Sequence, residues 1–232
     1  QALREGDVAL FNNQVLAAGV LQINSPAEAQ QAIDQILRQA NQMVFQTILP
    51  SVGPLEAQVI KIKSADVAEV IRRISDGQPY VIQILSGGNY LIGEPCVISG
   101  QPCVDVTANA LPNELVFSSG EIITSVTIDP EQISNSQLLE RLELLIAAAQ
   151  LRARQAGVLP RTVEISAGAY EDLRQFLGEL QDPQQSQTGA FVVQAVSATD
   201  VYTVGPLALK FMVLQDGQPV FNEDSSQANI EP

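Results

Sequence analysis

Apolar positions recur along this chain at two spacings, and the switches between them mark out its elements. Ala29, Ile33, Ile36, Leu37, Ala40 and Val44 fall on one face at helical spacing. They follow Ser25-Pro26-Ala27-Glu28, which supplies an N-cap, a proline at the first helical position and an acid at the third. A second long helix is predicted through Leu138, Leu139, Leu142, Leu145, Ile146 and Ala149. It starts at Asp129-Pro130-Glu131 or at Ser134-Asn135-Ser136, and Gly157 and Pro160 end it. Shorter helices are expected over 64–74, capped by Ser64 or Asp66, and over 169–180. Strands are expected at 58–62, 80–85, 90–92, 162–165, 191–197 and 201–204. Turn chemistry points to hairpins. Asn12-Asn13 would join Leu10-Phe11 to Val15-Leu16, and Ser86-Gly87-Gly88-Asn89 would join 80–85 to 90–92. Strand 104–107 would pair with 115–117, and Asp216-Gly217 would close 208–214 onto 219–221.

The pattern occurs twice. Ala9 to Val20 resembles Leu115 to Val126, Val59-Ile60-Lys61-Ile62 resembles Thr162-Val163-Glu164-Ile165, and the segment ending at Phe117 resembles the one ending at Phe221. Tyr80 to Ser86 resembles Phe191 to Ser197, and Tyr90-Leu91-Ile92-Gly93 resembles Tyr202-Thr203-Val204-Gly205. These matches are collinear, which is what an internal duplication leaves behind. The expected fold is α+β: two tandem, pseudo-twofold-related repeats, each of hairpin-joined strands and two helices. The repeats would occupy 8–113 and 114–221 and would share chain at 115–117. Residues 1–7 read as the tail of a longer helix, 181–189 as a mobile loop, and 222–232 as a disordered acidic tail.

Composition narrows the function classes. Apolar residues make up 46% and charged residues 16%, which suits a folded core rather than disorder. No run of the length needed to span a bilayer is present, and no signal peptide is visible. The net charge of −14 disfavours a nucleic-acid partner. With no His, the commonest general base and the commonest transition-metal ligand are missing. No cofactor motif is recognised, and Ser86-Gly87-Gly88-Asn89 lacks the Lys and the strand–loop–helix setting of a phosphate loop.

Cys96 and Cys103 are the only cysteines. If Ser99-Gly100 forms a two-residue hairpin loop, the two cysteines face each other at about 5.5 Å between Cα atoms, within the range of a disulfide. Two free thiols in a cytosolic protein are the alternative. Arg152 and Arg154, with Arg161 nearby, form the densest basic patch and are candidates for an anionic partner. Asp66, Glu69, Asp129, Glu131, Glu171 and Asp172 could supply a hydrolytic pair or a calcium site, but helix N-termini and solvent faces explain them. Tyr90 and Tyr202 occupy matching positions, with core packing as their expected role.

Leu3 to Leu10 followed by Gln14 to Val20, Ala147 to Gly157, and Asp200 to Leu207 resemble stretches of the cyanobacterial domain of unknown function 3084 family. Members look like membrane proteins with N-terminal transmembrane helices, a long coiled coil and then this region. The resemblance implies that this chain is the C-terminal part of such a protein, anchored through a preceding segment. A basic loop between the family's two N-terminal hydrophobic segments would be cytoplasmic, which would place this domain in the periplasm. A cytoplasmic location is the alternative. No activity comes with the family. The expected role is a non-enzymatic interaction or scaffold domain with protein partners, a homo-oligomer through the upstream coiled coil. A small-ligand or sensor module with a pocket between the repeats is the alternative, and a carboxylate hydrolase is third.

Overall fold

A computed structural model describes residues 7–50, 57–129, 132–159, 164–165, 169–179 and 189–222. Helices and strands divide it between two compact units, Gln1–Asn113 and Glu114–Pro232. The α+β class follows directly.

In the first unit the chain runs β1 (Val8–Leu10), β2 (Val15–Gln22), α1 (Pro26–Ile48), β3 (Ile60–Lys61) and α2 (Ser64–Ile74). It continues as β4 (Pro79–Ser86), β5 (Tyr90–Leu91), α3 (Pro95–Ile98) and β6 (Val104–Pro112). The sheet order is β2–β4–β6–β3, antiparallel except for the parallel β3–β6 edge. β1 and β5 form a separate two-stranded ribbon. Ser25 caps α1 by accepting the Glu28 N–H, and the predicted face of α1 is the buried one. It packs with Ile82, Ile84 and Val106 of the sheet. α2 starts after Lys63 without a side-chain cap, so neither Ser64 nor Asp66 has that role.

In the second unit come β7 (Leu115–Phe117), β8 (Ile122–Ile128), α4 (Asn135–Gln155), β9 (Glu164–Ile165) and α5 (Ala169–Glu179). β10 (Phe191–Ser197), β11 (Val201–Tyr202), β12 (Ala208–Gln215) and β13 (Gln218–Asn222) complete it. The order is β13–β12–β10–β8, with β9 parallel to β12 and β7 paired with β11. α4 opens on a full capping box between Ser134 and Gln137. It closes through left-handed Gly157 (φ 104°). There the Gly157 N–H donates to Arg154 O and the Val158 N–H to Ala153 O, both hallmarks of a Schellman end. Leu138, Leu142, Leu145 and Ala149 bury against Ile123, Val193 and Phe211.

Only one expected hairpin forms as read. Asp216 (φ 50°) and Gly217 (φ 78°) close β12 onto β13. Asn12-Asn13 does make a turn, with the Gln14 N–H donating to Phe11 O at 3.0 Å, but β1 and β2 are not partners. β4 and β5 are not partners either. The reason is burial: β4 is almost wholly buried and needs a long strand on each side. β2 and β6 supply that length, whereas β1 and β5 have three residues and two. β6 therefore pairs with β4 and β3, not with β7, and β7 pairs within the second unit. The strand 115–117 is not shared, and the division falls between Asn113 and Glu114. Residues 1–6, most of the expected 181–189 loop and residues 223–232 lie outside the described residues.

Candidate functional site

The cysteines do form a disulfide, with sulfurs 2.05 Å and Cα atoms 6.2 Å apart. The backbone that carries it is not the expected hairpin. Residues Pro95–Ile98 make one helical turn, α3, with Pro95 in its first turn. The Ser99 N–H donates to Pro95 O and the Gln101 N–H to Cys96 O, which folds the chain back toward Cys103. The Cys103 N–H then donates to Val59 O beside β3. A proline before a helix-compatible Cys-Val-Ile run sets the helical turn. The Ser-Gly pair that suggested a hairpin only ends it, at left-handed Gly100 (φ 68°). In the second unit a short irregular stretch joins β11 to β12, so this stapled turn is particular to the first.

α1, α2 and the chain after β3 line a concave surface of the first unit. A groove of ≈ 760 Å³ has Leu37, Ile62, Val67 and Ile71 as its apolar floor, with Asp34 and Arg72 at its rim. A smaller recess of ≈ 310 Å³ continues past Arg38 and Asn41 to Gln58. Asn41 holds this wall together. Its Nδ2 donates to Ala57 O at 2.9 Å, and its Oδ1 accepts the N–H groups of Val59 at 2.8 Å and Ile60 at 3.2 Å. One helix side chain thus supplies the partners that a short edge strand lacks on its outer side. Arg72 forms a two-point ion pair with Glu69, and the guanidinium holds the Glu69 carboxyl below the usual carboxylate range. Sequence periodicity placed Leu37 on the α1 face, but nothing in it marked Asn41.

A further cleft of ≈ 580 Å³ is lined by Lys61, Lys63, Asp66 and Asp105. Lys61 and Asp105 face each other across the parallel pair at 3.1 Å. The Tyr90 hydroxyl accepts the Asp105 N–H at 2.8 Å. Burial, ahead of the Asp105 charge, raises the Tyr90 hydroxyl above the ordinary tyrosine range, although the Asp105 N–H works the other way. Tyr202 is exposed, so the two tyrosines are not counterparts. Tyr90 pairs with Leu10, while Val201 pairs with Phe117 and Tyr202 with Leu115. Leu10, not exposed Phe11, therefore holds the place that Phe117 holds in the second unit. The sequence match was one residue out because it rested on like residues rather than on burial.

The Ser86-Gly87-Gly88-Asn89 turn has a structural role. Buried Ser86 donates its hydroxyl to Gly88 O, and Asn89 Oδ1 accepts the Asn12 N–H. Buried Ser197 likewise donates to Thr199 O, and Asp200 Oδ1 accepts the Ser119 N–H. Gln14 accepts from the Phe11 N–H as Glu121 does from the Ser118 N–H.

Two residues of the expected basic patch can be placed. The Arg152 guanidinium donates to Ile123 O on β8, so it completes a strand edge. Arg154 is exposed, and Arg161 lies outside the described residues. Among the carboxylates, Asp129 sits ahead of α4 and holds Gln132, while Glu131 and the side chains of Glu171 and Asp172 lie outside the description. Among the described residues no three His, Cys, Asp or Glu side chains gather at metal-binding distances. No described helix is long and apolar enough to cross a membrane.

Residues 117–226 match the family model described as the DUF3084-associated C-terminal helical hairpin. Here the two helices of that stretch, α4 and α5, are separated by β9 and accompanied by the sheet. The chain is 33% identical over 221 residues to an uncharacterized protein of Nostoc sp., covering 95% of this chain. It spans 41% of that relative's length. No solved structure matches the chain.

Proposed function

We propose that this chain is a non-enzymatic interaction or scaffold domain of the domain of unknown function 3084 family, a membership that the match over residues 117–226 and the cyanobacterial relative support. It would be the distal part of a longer, membrane-anchored coiled-coil protein, working in the periplasm with protein partners. The observation that carries the binding role is the α1–α2 groove: an apolar floor with an ion-paired rim, open to solvent. The Cys96–Cys103 disulfide supports the oxidising compartment. The relative's greater length supports further segments in the whole protein. We also read the two units as copies of one ancestral unit. Element order, strand pairing and the Ser86 and Ser197 turns support this reading.

The groove volume also lies in the range of small-molecule sites, which supports a ligand-binding module as the second reading, with its site in the first unit. A photocrosslinking residue at Val67, in the full-length protein in its own envelope membranes, separates the two. Capture of a defined protein, lost on Ile71→Glu, supports the interaction domain. A small molecule co-purifying in that groove, with no protein captured, supports the ligand module and overturns the scaffold reading.

A further inference from the structure

The two units finish their sheets differently, and the difference points to a partner. In the second unit, the Ser197 N–H donates to Glu121 O, and Ala195, Val193 and Phe191 face Thr124, Val126 and Ile128. Ile123, Ser125 and Thr127 therefore turn their backbone groups away from the sheet. Two of those carbonyls are occupied: Arg152 donates to Ile123 O, and Arg141 Nη1 donates to Thr127 O at 2.8 Å.

In the first unit, the Gly87 N–H donates to Asp105 O and the Asn113 N–H to Pro79 O, so odd-numbered residues of β4 turn toward β6. Even-numbered ones face Ala17, Gly19 and Leu21 of β2. Ala18 and Val20 consequently point their N–H and C=O groups out of the sheet. The arginines stand seven and eighteen residues after the α4 cap Ser134; the same steps from the α1 cap Ser25 reach Ala32 and Met43. Neither can donate to the edge. Among the described residues no side chain bonds the outward groups of Ala18 or Val20.

Natural sheet edges are usually blunted by charge, proline or cover. Among the described residues β2 has none of these. From Val8 to Ala27 no residue is charged, on a chain of net charge −14. We propose that β2 pairs antiparallel with β2 of a second copy of this chain, centred on Gly19. This rests on the interaction-domain reading and names one of its partners. In that register Ala18 and Val20 exchange hydrogen bonds with Val20 and Ala18 of the second copy, making four. Ala17 faces Leu21, so a small residue meets a large one, and Gly19 meets Gly19. Antiparallel edges are self-complementary, as a twofold dimer requires. The uncharged stretch brings two acidic chains together without opposing carboxylates.

The test is the mass of the 232-residue chain by sedimentation across a dilution series, with amide exchange. The wild type should reach twice 24.9 kDa, with the Ala18 and Val20 amides protected only in the dimer. Val20→Pro removes an N–H that the sheet does not use, and should leave a folded monomer. Ala32→Arg with Met43→Arg, copying the second unit, should weaken dimerisation at least about tenfold, independently of any proline effect. A wild type that is monomeric throughout overturns the pairing, and if it still captures an envelope protein the interaction reading stands without it. A dimer unmoved by both variants also overturns it.

Discussion

Asn41 shows how much one polar side chain can hold. It meets two N–H groups and one carbonyl that β3 cannot satisfy by strand pairing. Asn41→Ala should destabilise the first unit by about 2 kcal/mol, because partly buried backbone groups lose their partners. Denaturant unfolding reads the loss, and amide exchange should place it at Val59 and Ile60. Asp76 gives a pH signature. The Gln78 N–H, followed by the Tyr80 hydroxyl, holds its carboxyl below the ordinary aspartate range. Its contribution is present above the unfolded aspartate pKa and is lost as pH falls through the lower folded one. Asp76→Asn should therefore flatten the acid limb of a stability–pH curve and leave the curve's shape near neutral pH unchanged.

Helices were the legible elements, strand partners were not. Ser25 and Ser134 caps and a 3.6-residue apolar stripe are local signals, and both long helices follow them. Hairpin chemistry is local too, but the partner of β4 is decided by which strand can cover a buried core strand, and that information is tertiary. The same limit hid Asn41 and the edge-capping Arg152, whose roles exist only once a helix lies beside a strand. At the α4 end, Gly157→Ala should cost about 1–2 kcal/mol, since a Cβ disfavours the left-handed conformation there. Thermal unfolding checks this. The Cys96–Cys103 disulfide closes so short a loop that reducing it should cost about 2 kcal/mol or less. Exchange should quicken around α3 and the neighbouring β3 edge, with the rest of the first unit little changed.

At the scale of the whole chain, charge sets the terms. Twelve basic residues face 26 acidic ones, and self-repulsion works against the compact state. Added salt should raise the unfolding midpoint, as the screening length shrinks to about 3 Å at 1 M. A midpoint insensitive to salt would show that the acids are locally compensated. The composition made this much plain from the start. What it could not show is that eight residues of an uncharged run, Val15–Gln22, would be laid along an open sheet edge.

The stapled turn between β5 and β6 offers a practical use. One unit closes that junction with a cysteine-clasped helical turn, while the other runs from β11 to β12 without one. Two units of like element order thus carry a bare and an elaborated connection at this corner. The turn is consequently a natural graft point: a foreign epitope set at the mostly exposed 98–101 stretch, with core Val97 kept, would be displayed on a ready-made clasp.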